Sequence, residues 1–85
     1  MDKANSIEAR VIESMLRIFG DKYRGAITGE TTMEDLDAWD SLSFIDLLLD
    51  LEEEFATRFS MNDSAEMISV PAICAIVEKQ RGAAE

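Results

Sequence analysis

Fifteen consecutive residues, SLSFIDLLLDLEEEF (Ser41–Phe55), hold eight large apolar side chains and neither proline nor glycine. A run this long without a breaker, rich in leucine and glutamate, reads as an α-helix rather than a strand. On a wheel that sets Ser41 at zero and advances about 100° per residue, Phe44, Leu47, Leu48, Leu51 and Phe55 fall between about 240° and 340°. That arc is a core-facing stripe. Ile45, Leu49 and Leu42 fall elsewhere, near about 40°, 80° and 100°, with Glu52 near 20°, Glu53 near 120° and Asp46 near 140°. One helix therefore carries two apolar stripes, the second collared by acids. A chain of 85 residues forms one domain that hides only about 60–65% of the surface exposed when unfolded, so it has little with which to cover both. An apolar strip rimmed by charge is the pattern of a helix-docking surface.

The rest of the chain follows the same helical logic. Ile7, Val11, Ile12, Met15, Leu16 and Phe19 repeat at helical spacing. Asn5 with Glu8 three residues on reads as a capping box, Ser6 is a competing cap, and Gly20 is the stop. Residues 20–40 contain Gly20, Gly25, Gly29 and the Thr31-Thr32 pair and read as a long loop pinned to the core by Ile27, Met33 and Leu36. A short helical turn is expected near Ser64–Met67. Ser69 caps a last helix that tolerates Pro71 in its first turn and buries Val70, Ile73, Ile76 and Val77. The tail RGAAE is expected to fray. The predicted fold is all-α: a small four-helix bundle, three main helices plus one short one, with a long loop between helices 1 and 2. Residues 1–85 form a single domain with an ordered core over about residues 5–79.

Charge narrows the function classes. Residues 1–30 carry five bases and five acids, residues 31–66 carry eleven acids and one base (Arg58), and residues 67–85 carry two of each. The whole net charge of −10 thus lies in the middle segment. Phosphate backbones and anionic membranes are repelled by such a surface, whereas a basic patch on another protein is its complement. No apolar run approaches a membrane span, and MDKANSIEAR lacks the apolar core of a signal peptide, so a cytoplasmic location is expected. One cysteine, Cys74, cannot form an internal disulfide, and it reads as a small core residue. Absence of histidine removes the commonest metal ligand and general base, which argues against an enzyme and specifically against a serine hydrolase. A calcium loop built on Asp35, Asp37 and Asp46, at positions one, three and twelve, fails because position five is Trp39, position six is Asp40 where glycine is needed, and the last ligand is Asp rather than Glu.

Ser41 stands out against this background. If Asp40 caps the second helix, Ser41 lies in its first turn with an exposed hydroxyl beside unpaired N–H groups and the positive dipole end, where a phosphate ester is favoured. Simple capping would explain a serine here, but it explains neither the second stripe nor the acidic collar.

The stretch DLDAWDSLSFIDLLLDLEEEF (Asp35–Phe55) resembles the Asp-Ser-Leu motif and second helix of acyl carrier proteins and the related peptidyl carrier domains. FSMNDSAEMISVPAICAIV (Phe59–Val77) is similar to the segment that follows in that family, and the likeness covers about residues 5–79. The resemblance implies that Ser41 receives 4′-phosphopantetheine from coenzyme A through a phosphopantetheinyl transferase, with Asp40 beside the attachment point. It implies a stand-alone, monomeric carrier that shuttles acyl or aminoacyl thioesters between loading and processing enzymes of fatty acid, polyketide, nonribosomal peptide or modified-lipid biosynthesis. Leu42, Ile45, Asp46, Leu49, Glu52 and Glu53, with Asp40, match positions that partner enzymes contact in the family. Two departures stand out. Ser43 replaces a common acid, and Trp39 and Phe44 are bulkier than usual, which points toward a specialised carrier. The alternative is an acidic helical adaptor that binds proteins through the Leu42/Ile45/Leu49 stripe and leaves Ser41 unmodified.

Overall fold

The computed structural model describes the backbone of residues 6–84 and the side chains of residues 6–80. Four α-helices follow one another: α1 (Ile7–Phe19), α2 (Ser41–Phe55), α3 (Met61–Glu66) and α4 (Val70–Ala84). Among the described residues there is no strand, and the all-α reading holds. The bounds of α2 are those read from its pattern.

Helix α1 starts at Ser6, whose hydroxyl accepts the Ala9 amide at 3.1 Å. The competing cap is therefore the one used; Asn5 lies outside the described residues. Gly20 ends α1 as expected, with φ of +119° and its N–H bonded to the Leu16 carbonyl, a backbone conformation that glycine takes at no steric cost. The long connection of residues 20–40 is more ordered than a loop reading suggests. It contains 3₁₀ turns at Asp21–Tyr23 and Met33–Asp35. The Asp35 carboxylate accepts the Thr32 amide at 3.0 Å, so it closes a turn. Two backbone bonds strap the connection to the start of α4: Met33 N–H to the Ile68 carbonyl and Val70 N–H to the Thr31 carbonyl, both 2.8 Å. Ile27 and Leu36 are buried and Met33 half-buried, as the sequence suggests. The deepest anchor is Trp39, 2% exposed, whose ring packs against Phe19 with centroids 6.1 Å apart.

Helix α3 spans Met61–Glu66 rather than the expected Ser64–Met67. Ser60 caps it, accepting the Asp63 amide at 3.0 Å, and this cap starts the helix three residues early. Met67 instead leaves the helix and plugs the core at 0% exposure. Ser69 caps α4, accepting the Ala72 amide at 3.2 Å, and Val70, Ile73, Ile76 and Val77 are all buried. The backbone of α4 runs to Ala84; Glu85 lies outside the described residues.

The core joins Val11, Met15 and Leu16 of α1, Leu47, Leu51 and Phe55 of α2, and the α4 face, closed by Ile27, Leu36, Trp39 and Met67. Helices α1 and α2 are also clasped by charge. Arg10 donates to the Glu54 carboxylate (2.9 Å) and to the Glu54 carbonyl (2.8 Å), and its guanidinium lies 4.5 Å from the Phe55 ring centroid. A cation here complements the carbonyl end of α2. Arg17 bridges Asp50 at 2.8 Å and Glu54 at 3.1 Å, and fully buried Ser14 also donates to Asp50. Helix α2 ends at Ala56, which adopts the left-handed conformation (φ 52°, ψ 49°) usual for a helix terminus.

Candidate functional site

The start of α2 is built by Asp40 and Ser43. The Asp40 carboxylate accepts the amides of Leu42 (3.1 Å) and Ser43 (3.0 Å). The Ser43 hydroxyl accepts the Asp40 amide at 2.9 Å and donates to the Ala38 carbonyl at 2.6 Å. This is a complete capping box. It explains why a serine occupies position 43: a short hydroxyl reaches back to the Asp40 amide. The hydrogen bond from the Ser43 amide holds the Asp40 carboxyl below its ordinary value, helped by the Ser43 hydroxyl.

Ser41 sits between these two residues as the first residue of α2. It is exposed, and no hydrogen bond among the described residues commits its hydroxyl. One part of the sequence picture changes. The first-turn N–H groups of Leu42 and Ser43 are not free for a phosphate, because Asp40 already accepts both. The helix end therefore fixes where Ser41 stands and offers little anion binding of its own.

Beyond Ser41 the two stripes separate as the wheel places them. Leu47 and Leu51 are 0% exposed and Phe55 4%, while Leu42, Ile45 and Leu49 are 78%, 56% and 60% exposed. Phe44 and Leu48 are half-buried against the core. The acids do not form one uniform collar. Asp46 and Glu53 are exposed and join no ion pair among the described residues. Half-buried Glu52 accepts the Phe59 amide at 2.9 Å, bracing the loop after α2. Asp50 and Glu54 face α1 and are consumed by Arg10 and Arg17. Burial pushes the Asp50 carboxyl upward, but bonds from Arg17 and Ser14 outweigh it and hold the group below its ordinary value.

Cys74 is half-buried in α4, packed on the core, and burial pushes its thiol up to about 11. That makes it an inert packing residue. Sequence reasoning misses two other features. The indole N–H of Trp39 is buried without a hydrogen-bond partner among the described residues. A cleft of about 310 Å³ also lies between α1 and α2, lined by Ile18, Asp46, Leu49, Asp50 and Glu53. Asp46, Leu49 and Glu53 of its lining are read from the sequence as docking positions, whereas Ile18 is absent from the α1 stripe read there and is found only when α1 is set against α2. No helix among the described residues is long and apolar enough to cross a membrane.

No family model matches the chain, and no solved structure matches it either.

Proposed function

We propose that the chain is a carrier protein whose Ser41 hydroxyl bears a 4′-phosphopantetheine arm and whose helix α2 presents that arm to partner enzymes. One observation carries the reading. Asp40 and Ser43 complete the helix cap between them, and the serine they flank is left exposed, uncommitted, and next to an exposed apolar stripe. A serine retained for capping would occupy position 40 or 43. The site fits the group, because the attachment oxygen is open to solvent and held at the first turn of a rigid helix. When attached, the arm supplies a terminal thiol that holds an acyl or aminoacyl group as a thioester.

The chain's own residues then have distinct jobs. Asp40 fixes the helix start and with it the direction in which Ser41 points. It is a poor base, because two amides already bond its carboxylate. As the Ser41 oxygen takes the phosphoryl end of the arm, the pyrophosphate link of coenzyme A breaks and adenosine 3′,5′-bisphosphate leaves, and the hydroxyl proton goes to an acceptor other than Asp40. Leu42, Ile45 and Leu49 bind partners by apolar contact. Asp46 and Glu53 attract basic patches, which raises encounter rates more than affinity and lets each partner leave. Attachment to a tether gives the cargo a high effective concentration at the enzyme selected by docking. Loading and processing enzymes of fatty acid, polyketide, nonribosomal peptide or modified-lipid synthesis are the corresponding partner classes.

Intact-mass measurement tests the proposal. Incubation with coenzyme A, Mg²⁺ and a broad-specificity phosphopantetheinyl transferase should add the mass of one arm, and Ser41→Ala should abolish the gain. An unchanged mass in the unsubstituted protein would overturn the carrier reading in favour of the unmodified adaptor.

A further inference from the structure

Three capping boxes occur among the described residues, and the one at α2 is built in reverse. The other two reach back from the third helical position with a carboxylate: Asp35 accepts the Thr32 amide at 3.0 Å and Asp63 accepts the Ser60 amide at 3.3 Å. At α2 the carboxylate is Asp40, in the cap itself, and the third position holds the Ser43 hydroxyl. A carboxylate only accepts, whereas a hydroxyl also donates. Ser43 uses both capacities, accepting the Asp40 amide at 2.9 Å and donating to the Ala38 carbonyl at 2.6 Å. The bond to Ala38 lies outside the helix, and the two boxes closed by a carboxylate have no counterpart of it. Between its two attachment points sits Trp39, 2% exposed, with its ring against Phe19. The three residues that lead into Ser41 are therefore held at both ends by one hydroxyl and in the middle by a buried indole.

We propose that Ser43 is a positioning residue for arm transfer: its hydroxyl locks the Ala38–Asp40 bend onto the first turn of α2 and so aims the Ser41 oxygen. The inference rests on the carrier reading and deepens it by naming what sets the geometry of the attachment step. In that step the Ser41 oxygen bonds to the pantetheine-side phosphorus of coenzyme A, opposite the departing adenosine 3′,5′-bisphosphate, and the proton goes to an acceptor other than Asp40. In-line displacement depends steeply on placement, and an error of about 1 Å can cost about a hundredfold in rate. Recognition by the transferase does not pass through this hydroxyl, because Ser43 is half-buried and its oxygen is taken up by Asp40 and Ala38. Its removal acts on the rate of transfer and leaves binding alone. The same bonds make the two neighbouring serines unequal: the Ser43 proton is committed to Ala38, and the Ser41 hydroxyl has no such partner among the described residues.

The test is a time course of intact mass on the full chain with coenzyme A, Mg²⁺ and a broad-specificity phosphopantetheinyl transferase, at varied carrier concentration, so that kcat and KM separate. Ser43→Ala should lower kcat about tenfold with KM for the carrier within about twofold. Ser43→Thr, which keeps the hydroxyl, should restore kcat to within about twofold of the unsubstituted protein. Ser60→Ala removes a cap of the same kind from α3 and should leave both constants unchanged. In Ser43→Ala, hydrogen exchange should quicken at the Asp40 amide while the Leu47 and Leu51 amides stay protected. An unchanged kcat in Ser43→Ala would overturn the inference, as would a loss that falls on KM, a failure of Ser43→Thr to restore the rate, or an equal slowing by Ser60→Ala. Lost protection at Leu47 and Leu51 would overturn it too, since Ser43 would then hold the fold and not the site. If the unsubstituted protein itself gains no arm, the carrier reading falls and this inference with it, an outcome distinct from every loss confined to the Ser43 variants.

Discussion

Leu47 and Leu49 are the same residue type two positions apart on one helix, and the proposed docking surface depends on their having opposite fates. Leu47 is 0% exposed and Leu49 60%. Truncating Leu47 to alanine removes buried methylenes and leaves a cavity, at a cost of about 3–4 kcal/mol. At about 0.05–0.15 kcal/mol per residue, a domain of this size is stable by only about 4–13 kcal/mol, so that cost is a quarter or more of the total. With a urea slope of about 1 kcal/mol/M, the midpoint falls by about 3 M, and a protein at the lower end of the range unfolds outright. Leu49→Ala leaves a surface already mostly in water, and the change should stay within about 0.5 kcal/mol, a midpoint shift of about 0.5 M or less. Leu49→Glu adds a charge near Asp46 and Glu53 and should cost little more, while impairing handling by partner enzymes. Urea titration followed by fluorescence reads all three variants, because Trp39 is the one tryptophan and only 2% exposed, so unfolding moves its emission to the red. If Leu49→Glu lowers the midpoint as far as Leu47→Ala does, Leu49 is a core residue and the second stripe is not a surface.

Two further expectations follow from the polar groups. The Asp50 carboxyl is held below its ordinary value by Arg17 and Ser14 against the opposing effect of burial, so its stabilisation is full above the ordinary carboxylate range, near pH 4, and is lost as pH falls through the lowered value; Asp50→Asn should flatten the drop in thermal midpoint below pH 4, and an unchanged drop in that variant would refute the assignment. Trp39→Phe keeps most of the buried ring and removes an N–H without a partner, and the two effects should nearly cancel, within about 1 kcal/mol, whereas Trp39→Ala should cost about 3–5 kcal/mol by helix-signal melting; equal losses in the two variants would mean that the indole N–H is bonded after all.

The parts legible in the sequence are those governed by local chemistry. The 3.6-residue period and the Asp-Ser start fix α2 because its cap, Asp40, lies in the same few residues as its stripe. Gly20 and Ser69 are readable for the same reason. The parts that are not legible depend on partners far along the chain. Ser14 looks like an error in the apolar face of α1 until Asp50, thirty-six residues away, is set against it. Trp39 looks like an oddity beside a motif until Phe19 is packed on its ring. Helix α3 is misplaced because Ser60 and Ser64 are both competent caps, and only the burial of Met67 decides between them. At the site, the exposure of Ser41 and of the second stripe follows from the wheel, but the engagement of the first-turn amides by Asp40 does not. Carboxylate and phosphate are equally good partners for those amides on paper, and only the side-chain geometry shows which is in place.

The same reasoning revises what the acidity of α2 means. Asp46, Asp50, Glu52, Glu53 and Glu54 are five acids with no base among them on the helix, and counted together they describe a uniformly negative rod. The neighbouring elements sort them. Helix α1 neutralises Asp50 and Glu54 through Arg17 and Arg10, and the loop after α2 engages Glu52 through the Phe59 amide. What remains outward-facing is Asp46 and Glu53, on either side of Leu49. A uniform rod attracts any basic protein and discriminates poorly, because steering falls away within a Debye length and is indifferent to register. Two charges at a fixed interval on either side of an exposed leucine do carry register, since a partner with its cations at the wrong spacing can satisfy only one of them. If the chain docks basic partners as proposed, the arginines of α1 sharpen that choice without touching the partner, because they neutralise Asp50 and Glu54.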